Sequence, residues 1–392
     1  MTTKYFLSCT LVLAFLVPAA ADARTSLEVA GWIPYWSDTD GVASAKKHIR
    51  DLDTIHPFAF EVQNDGTLKD RADLDESKWK KLFKTAKKRR VDIVPTVTWF
   101  NAAEIHAVLS DKKKRRAHID AIVEMVDEGR YDGVDIDYEG KWAQTKEYFS
   151  LFLKELEDEL GRDMLTCTVE ARTPPESLYR DVPDDIQYAN DYRAINRYCD
   201  RVEIMAYDQQ RADLTLNSEK RGEPYNPVAD ADWVEKVIKL ALKDIDEDKI
   251  MLGVPTYGRE WTITVEPEWY KSYERISARN MPRALEIADE YDIKPGRNKA
   301  GELSFTYFPE SSIWNLLNVL PAPKGTTKGN EAAAKALLFA NATGRTVTVN
   351  YVTMSDADAI EEKMDLAEKY DLRGIAIFKI DGDEDEEIWD LF

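Results

Sequence analysis

Three carboxylates stand at every second position of Tyr131-Asp132-Gly133-Val134-Asp135-Ile136-Asp137-Tyr138-Glu139-Gly140. Side chains alternate faces along a β-strand, so Asp135, Asp137 and Glu139 share one face and Val134, Ile136 and Tyr138 the other. At roughly 3.3 Å per residue, neighbours in the acidic row lie about 6.6 Å apart. Acids aligned this way repel unless they share protons, hold a cation or serve chemistry. A solvated strand face is the plainest reading, but Val134 and Ile136 opposite suit a strand covered by helices. A Mg²⁺ or Ca²⁺ site of acidic oxygens is the second. The third is an acid pair tuned for proton transfer, in which crowding raises one carboxyl pKa until it stays protonated near neutrality.

The elements that must position this row follow a regular pattern. From Val29 onward, short apolar runs alternate with amphipathic helical stretches, as in a parallel sheet with crossover helices. Strands are predicted at Val29–Tyr35, Thr54–Phe60, Ile93–Thr98, Gly133–Tyr138, Leu165–Glu170, Val202–Ala206, Ile250–Val254 and Gly374–Phe378. Eight strand-helix units predict an α/β fold, a closed (β/α)₈ TIM barrel with its site at the C-terminal strand ends. Trp79, Leu82, Phe83 and Ala86 mark one helical stripe, with Lys80, Lys81, Lys84, Lys87 and Lys88 outward. Phe149, Leu153, Leu156 and Leu160 mark another, stopped by Gly161. Ser355 and Asp358 have the spacing of a capping box opening the last helix. The stretch between Val254 and Gly374 is far longer than a crossover needs. It carries mixed patterning, and residues 261–353 are expected to form a small α+β insertion between strands seven and eight, raising one wall of a cleft.

The 392 residues are 44% hydrophobic and 32% charged, with a formal net charge of -20. That charge argues against nucleic acid or an anionic membrane as partner and favours a neutral substrate. Residues 1–23 have the form of a secretory signal: Lys4, an apolar run from Tyr5 to Val17, and Ala21-Asp22-Ala23 as a cleavage site. The mature chain, residues 24–392, is expected to be secreted or extracytoplasmic, with no integral membrane span. Cleavage leaves Cys167 and Cys199; export permits a disulfide between them, but Cys167 inside a strand and Cys199 at a helix end favour free buried thiols. The four histidines show no metal-ligand spacing, and neither a metal nor a cofactor is called for. Asp381-Gly382-Asp383-Glu384-Asp385-Glu386-Glu387 begins like a calcium loop but lacks the remaining spacing, so a solvated acidic loop is expected. The sequence does not set the oligomeric state.

The predicted strand ends gather aromatics and acids: Trp32, Tyr35 and Trp36 on the first, Trp99 on the third, Glu139 on the fourth, and Met205-Ala206-Tyr207-Asp208 on the sixth. The seventh leads into Leu252-Gly253-Val254-Pro255-Thr256-Tyr257-Gly258-Arg259. Aromatic rings beside carboxylates at a barrel mouth suit stacking on sugar faces. From Val29 to its end the chain resembles glycoside hydrolase family 18, the chitinase-type hydrolases. Asp132-Gly133-Val134-Asp135-Ile136-Asp137-Tyr138-Glu139 matches the D-G-x-D-x-D-x-E motif without a substitution. Met205 to Asp208 matches M-x-Y-D, and Leu252 to Gly258 matches L-G-x-P-x-Y-G. Asp191 to Ile195, and Asn226 to Ala229 followed by Trp233-Val234, are similar to the bacterial cell-wall branch related to spore-cortex N-acetylglucosaminidases.

The resemblance implies hydrolysis of β-linked N-acetylglucosamine-containing polysaccharide, chitin or peptidoglycan, with retention and with the substrate's acetamide as nucleophile. It assigns Glu139 as acid and base, with Asp137 and Asp135 behind it and Tyr207 and Asp208 beside it. Trp32, Tyr35, Trp99, Met205, Tyr257, Arg259 and Phe378 would bind the sugar. Glu170, ending the fifth strand, is a further candidate for the cleft or for a structural role. Two departures stand out: Val97-Thr98-Trp99 where the family has Gly-Gly-Trp, and Phe378 where it has a Trp beneath the cleaved sugar. Loss of that indole is what favours a chitinase-like lectin as the alternative.

Overall fold

The computed structural model describes residues 27–392; the signal sequence inferred at residues 1–23, with Cys9, lies outside them. Seven strands come first along the chain: β1 (Glu28–Pro34), β2 (Thr54–Val62), β3 (Thr96–Trp99), β4 (Gly133–Tyr138), β5 (Met164–Glu170), β6 (Arg201–Met205) and β7 (Ile250–Pro255). A second group follows: β8 (Gly258–Glu266), β9 (Trp269–Arg279), β10 (Leu303–Tyr307) and β11 (Val347–Met354). The last strand is β12 (Gly374–Phe378). Strands β1 to β7 and β12 pair in parallel in the order β1-β12-β7-β6-β5-β4-β3-β2, and β2 closes back on β1. This is a closed eight-stranded (β/α)₈ barrel.

Every barrel strand is covered on its outer face by helices. Val134, Ile136 and Tyr138 of β4 are fully buried against them. Helix Lys146–Leu160 turns Phe149, Phe152, Leu153, Leu156 and Leu160 toward the barrel, each worth about 1.5–3 kcal/mol when wholly removed from water. It ends at Gly161, whose φ of +67° suits a residue without a β-carbon. Gly133 answers a different need. A β-carbon there would fall on the backbone oxygen of Met164, so β4 and β5 can pair at this point only around a glycine.

The inner face departs from the apolar filling usual in such barrels. Thr96 and Thr98 of β3, Asp135 and Asp137 of β4, Thr166 and Thr168 of β5 and Glu203 of β6 are all buried. Register places Thr98 level with Asp137, and Asp137 level with Thr168. Polar groups therefore extend from the mouth far into the barrel.

Residues 258–354 form a second, five-stranded sheet in the order β9-β8-β11-β10 followed by the short strand Gly296–Arg297. Helix Glu331–Thr343 packs Ala333, Ala336 and Ala340 against Ile263, Val349 and Tyr351. Helix Met281–Glu290 packs Met281, Ala284 and Ile287 against Phe305 and Val352. The sheet is thus sandwiched, with a small core of its own.

Three local expectations are corrected. Cys167 and Cys199 are disulfide-bonded, with Cα atoms 6.0 Å apart. Cys167 is level with Val202 of the neighbouring strand, which brings the residue three before Val202 within bridging reach. The helix before β12 is capped by Asp356, whose side chain accepts from the Ala359 N–H at 3.3 Å; Ser355 does not cap it. The acidic loop after β12 is solvated at Gly382, Asp383, Glu386 and Glu387 but turns Asp381 and Glu384 inward. Glu384 accepts from the N–H groups of Asp381 and Gly382 at 3.1 and 2.7 Å, and Asp381 pairs with Lys379. Burying Asp381 and Glu384 is tolerable because each has donors.

Candidate active site

Asp135 lies deepest of the acidic row. Its carboxylate accepts from Trp32 Nε1 at 3.1 Å, Thr96 Oγ1 at 2.8 Å and Thr168 Oγ1 at 2.8 Å. Burial, reinforced by the Glu203 carboxylate and opposed by His56 and these donors, pushes its pKa up to about 6. Beneath it His56 Nε2 sits 2.9 Å from Glu203 Oε1, while His56 Nδ1 lies 2.8 Å from the Val94 carbonyl oxygen. Burial alone would strip the imidazole of its proton; Glu203 reverses this, and the pKa is raised. His56, Asp135 and Glu203 bring ligand atoms within 4.8 Å of one another, the one grouping among the described residues with metal-ligand types.

Asp137, one step nearer the mouth, lines the cleft. Its Oδ1 is buried and accepts no hydrogen bond among the described residues. Burial first, then the charges of Glu139 and Asp135, raise its pKa well above the usual carboxylate range, with Lys141 opposing. Glu139 follows at the strand end. Burial and the neighbouring Glu170 charge, partly offset by Lys141, push it up to about 6. Lys141 is itself buried, which lowers its pKa. It donates to the Tyr138 carbonyl oxygen and lies 4.5 Å from the centre of the Phe149 ring. Glu170 stands outside the cleft lining, accepting from the Gly140 N–H at 2.8 Å and from Asn190 Nδ2 at 2.7 Å, 4.0 Å from Lys141. Burial would raise its pKa, but Lys141 and these donors outweigh it and bring the pKa below its ordinary value. Glu170 therefore acts on the site as a fixed negative charge beside Glu139.

Opposite the acids, β6 delivers Met205 and Tyr207. Burial holds the Tyr207 phenol well above its ordinary pKa, so it is a donor at neutral pH. Its ring lies parallel to Phe378, centroids 5.7 Å apart and planes 19° apart. Asp208, at φ +56°, is clamped by Tyr257 Oη at 3.0 Å and by Arg259 Nε and Nη2 at 3.1 and 2.7 Å. Trp32, Tyr35, Met205, Tyr207, Asp208, Tyr257, Arg259 and Phe378 all line one cleft of about 650 Å³ with Asp137 and Glu139. Asp135 supports the floor from below.

Trp99 is the exception. It is 2% exposed and packs in the core, edge-on to Tyr138, with Nε1 3.3 Å from Glu104 Oε2. Register explains this: Thr98 is level with inward-facing Asp137, so Trp99 is level with outward-facing Tyr138. The next residue, Phe100, is 57% exposed and lines the cleft instead. Sequence reasoning also missed Phe58, Glu61 and Arg71 from β2 and the loop beyond it, and Ala278 and Asn280 from the insertion, which also line the cleft. Period-two alternation along β2 places Phe58 in phase with His56, a signal that was available.

A deep acid row backed by hydroxyl donors, facing a phenol across an aromatic-walled cleft, is equipped for acid-base work on a sugar. The sequence model described as glycosyl hydrolases family 18 matches residues 28–383. The chain belongs to this family. Among relatives of this family 18 chain, the uncharacterized glycosylase YvbX of Bacillus subtilis is 20% identical over 90% of the chain and 87% of its own length. The putative sporulation-specific glycosylase YdhD of Bacillus subtilis is 30% identical over 53% of the chain and 46% of its own length. Among solved structures, the Bacillus cereus spore cortex-lytic enzyme SleL superposes with a TM-score of 0.68 at 20% identity, over 93% of this chain and 73% of that one. Membership makes this family 18 chain a glycosidase by class.

Proposed function

We propose that the protein is a secreted hydrolase of polysaccharide containing β-linked N-acetylglucosamine, acting with retention through the substrate's own acetamide. The observation that carries this reading is Asp137 Oδ1, a buried acceptor without a donor among the described residues, lining the cleft with Glu139 and Tyr207. An acetamide N–H bound there supplies the missing donor. Its carbonyl oxygen then receives the Tyr207 hydroxyl.

Glu139, whose pKa burial and Glu170 push up to about 6, gives its proton to the glycosidic oxygen as the bond from that oxygen to C1 breaks. The acetamide oxygen bonds to C1, and the Asp137 carboxyl accepts from the N–H of the resulting oxazolinium ion. Glu139, now a carboxylate, takes a proton from water whose oxygen attacks C1 and reopens the ring. Two inversions at C1 give net retention, without the carboxylate nucleophile of the two-acid scheme. Asp208 is already neutralised by Arg259 and holds the Tyr257 hydroxyl in place.

Cell-wall glycan is the first substrate to test, since SleL is described as a spore cortex-lytic enzyme; chitin is the second. Export is supported by the signal-like residues 1–23 and by the Cys167–Cys199 disulfide, a bond of oxidising compartments. Phe378, smaller than a Trp and without its N–H, favours a second reading in which glycan is held but not cut. Mass spectrometry of products from purified peptidoglycan and chitin oligosaccharides, with Glu139→Gln as control, tests both. New reducing ends from the active protein alone are expected. Retention of glycan with no products would establish the lectin.

A further inference from the structure

The mouth of the barrel carries a second hollow, also of about 650 Å³, that shares no lining residue with the cleft. Four segments build it: residues 176–182 after β5, residues 211–225 after β6, the β8–β9 turn with the start of β9, and Leu337 of helix Glu331–Thr343. Trp269 and Tyr179 line it at 45% and 42% exposure, with Leu214 and Val182 also exposed beside them. Single apolar side chains on a surface are ordinary, but four converging on one hollow mark a binding surface.

The charged groups among them are unusually free. Lys220 is committed to Asp230 and Asp232, each at 2.8 Å, and Glu223 to Asn330 Nδ2 at 3.3 Å. By contrast, no carboxylate of the described residues lies within 4.0 Å of the guanidinium of Arg180, Arg211 or Arg221, and Glu176 and Glu268 have no cation within that distance. Arg211 is steadied over the Tyr273 ring at 5.3 Å. Free groups of both signs on one wall do not select a net anion. They suit a ligand whose groups donate to carboxylates and accept from guanidinium, while its C–H face covers Trp269 and Tyr179. Sugar hydroxyls and pyranose faces have this combination.

Two chain segments join the hollow to the cleft. The segment leaving β6 gives Asp208 to the cleft and Arg211 to the hollow. Strand β9 gives Trp269 to the hollow and Ala278 to the cleft, nine residues away or about 30 Å along an extended strand. We infer that the hollow is a second saccharide-binding site, which holds one part of a long glycan while another part lies in the cleft. The identity of the polymer rests on the hydrolase reading above; the existence of the site rests on the hollow itself.

The test pairs binding with cutting. Trp269→Ala/Tyr179→Ala and, separately, Arg180→Ala/Arg221→Ala remove exposed side chains, and a thermal melt confirms that each variant is folded. In the Glu139→Gln background, retention on soluble glycol chitin and on purified peptidoglycan is measured by affinity electrophoresis and by pull-down. Loss of stacking on both rings is expected to weaken retention on at least one polymer by about tenfold. With Glu139 intact, the rate on a tetrasaccharide of the same glycan is expected to stay unchanged. Equal retention by all variants overturns the inference. So does an equal loss on tetrasaccharide and polymer, which would make the hollow an arm of the cleft. If no glycan is cut but retention still depends on Trp269 and Tyr179, the hydrolase reading falls and the second site stands.

Discussion

The cleft and the hollow have the same volume and both carry aromatic walls, yet their charged groups are arranged in opposite ways. In the cleft, Arg259 is fixed to Asp208, Lys379 to Asp381, and Arg71 lies 3.5 Å from Glu61. Asp137 is buried, and Glu139 is pushed up to about 6. In the hollow, Arg180, Arg221, Glu176 and Glu268 stand exposed, without ionic partners among the described residues. Chemistry needs groups held at set positions in a site that excludes water, so that charge appearing in the transition state meets dipoles already in place. Holding a polymer needs only area and hydrogen-bonding groups that water will yield. The molecule separates the two tasks along one strand, β9.

Substitutions in the cleft are expected to act on turnover and leave polymer retention by the hollow intact. Glu139→Gln should lower kcat by about 10² to 10⁴, the range for loss of a positioned acid. Undiminished hydrolysis by this variant would remove Glu139 from the mechanism. Tyr207→Phe takes away the donor assigned to the acetamide oxygen and should cost about 10² in kcat, as removal of an oxyanion-type donor does. A change confined to KM would return Tyr207 to the role of a wall. The pH profile offers a finer probe. Glu139 must hold its proton to act as acid, so activity should fall as pH rises through about 6. Glu170 raises that pKa by repulsion, so Glu170→Gln should move the alkaline limb to lower pH. A shift the other way, or none, would show that Glu170 does not act on Glu139 through its charge. The smallest effect is expected from Phe378→Trp, whose larger ring should lower KM for oligosaccharides by about two- to threefold. Retention of polymer by the hollow should not respond to it.

Much of the barrel was visible in the sequence because its rules are periodic. The acid row announced a strand, eight apolar runs announced the barrel, and Trp79 with Leu82 and Ala86 announced a helix face. What escaped depends on how strands sit against each other. The direction of Trp99 follows from pairing with Tyr138 on β4, and a four-residue strand has too short a pattern to reveal its phase. The charge partners of the site, Lys141 for Glu170 and Glu203 for His56, meet only once the barrel closes. The disulfide escaped for the same reason: 32 residues separate Cys167 and Cys199, and only the β5–β6 pairing makes them neighbours. The second hollow had no sequence signal, because its walls come from four separate segments with no shared motif.

The glycine at position 133 touches no substrate, since its task is to let β4 lie against Met164. Two independent pieces of information are therefore written side by side in Asp132 to Glu139. Gly133 reports that the barrel can close, and Glu139 is the acid on which the proposed cutting depends. A lineage that abandons catalysis is free to lose the acid but must keep the glycine, so in chains of this kind a surviving Asp-Gly without the final Glu marks an intact scaffold turned to another use.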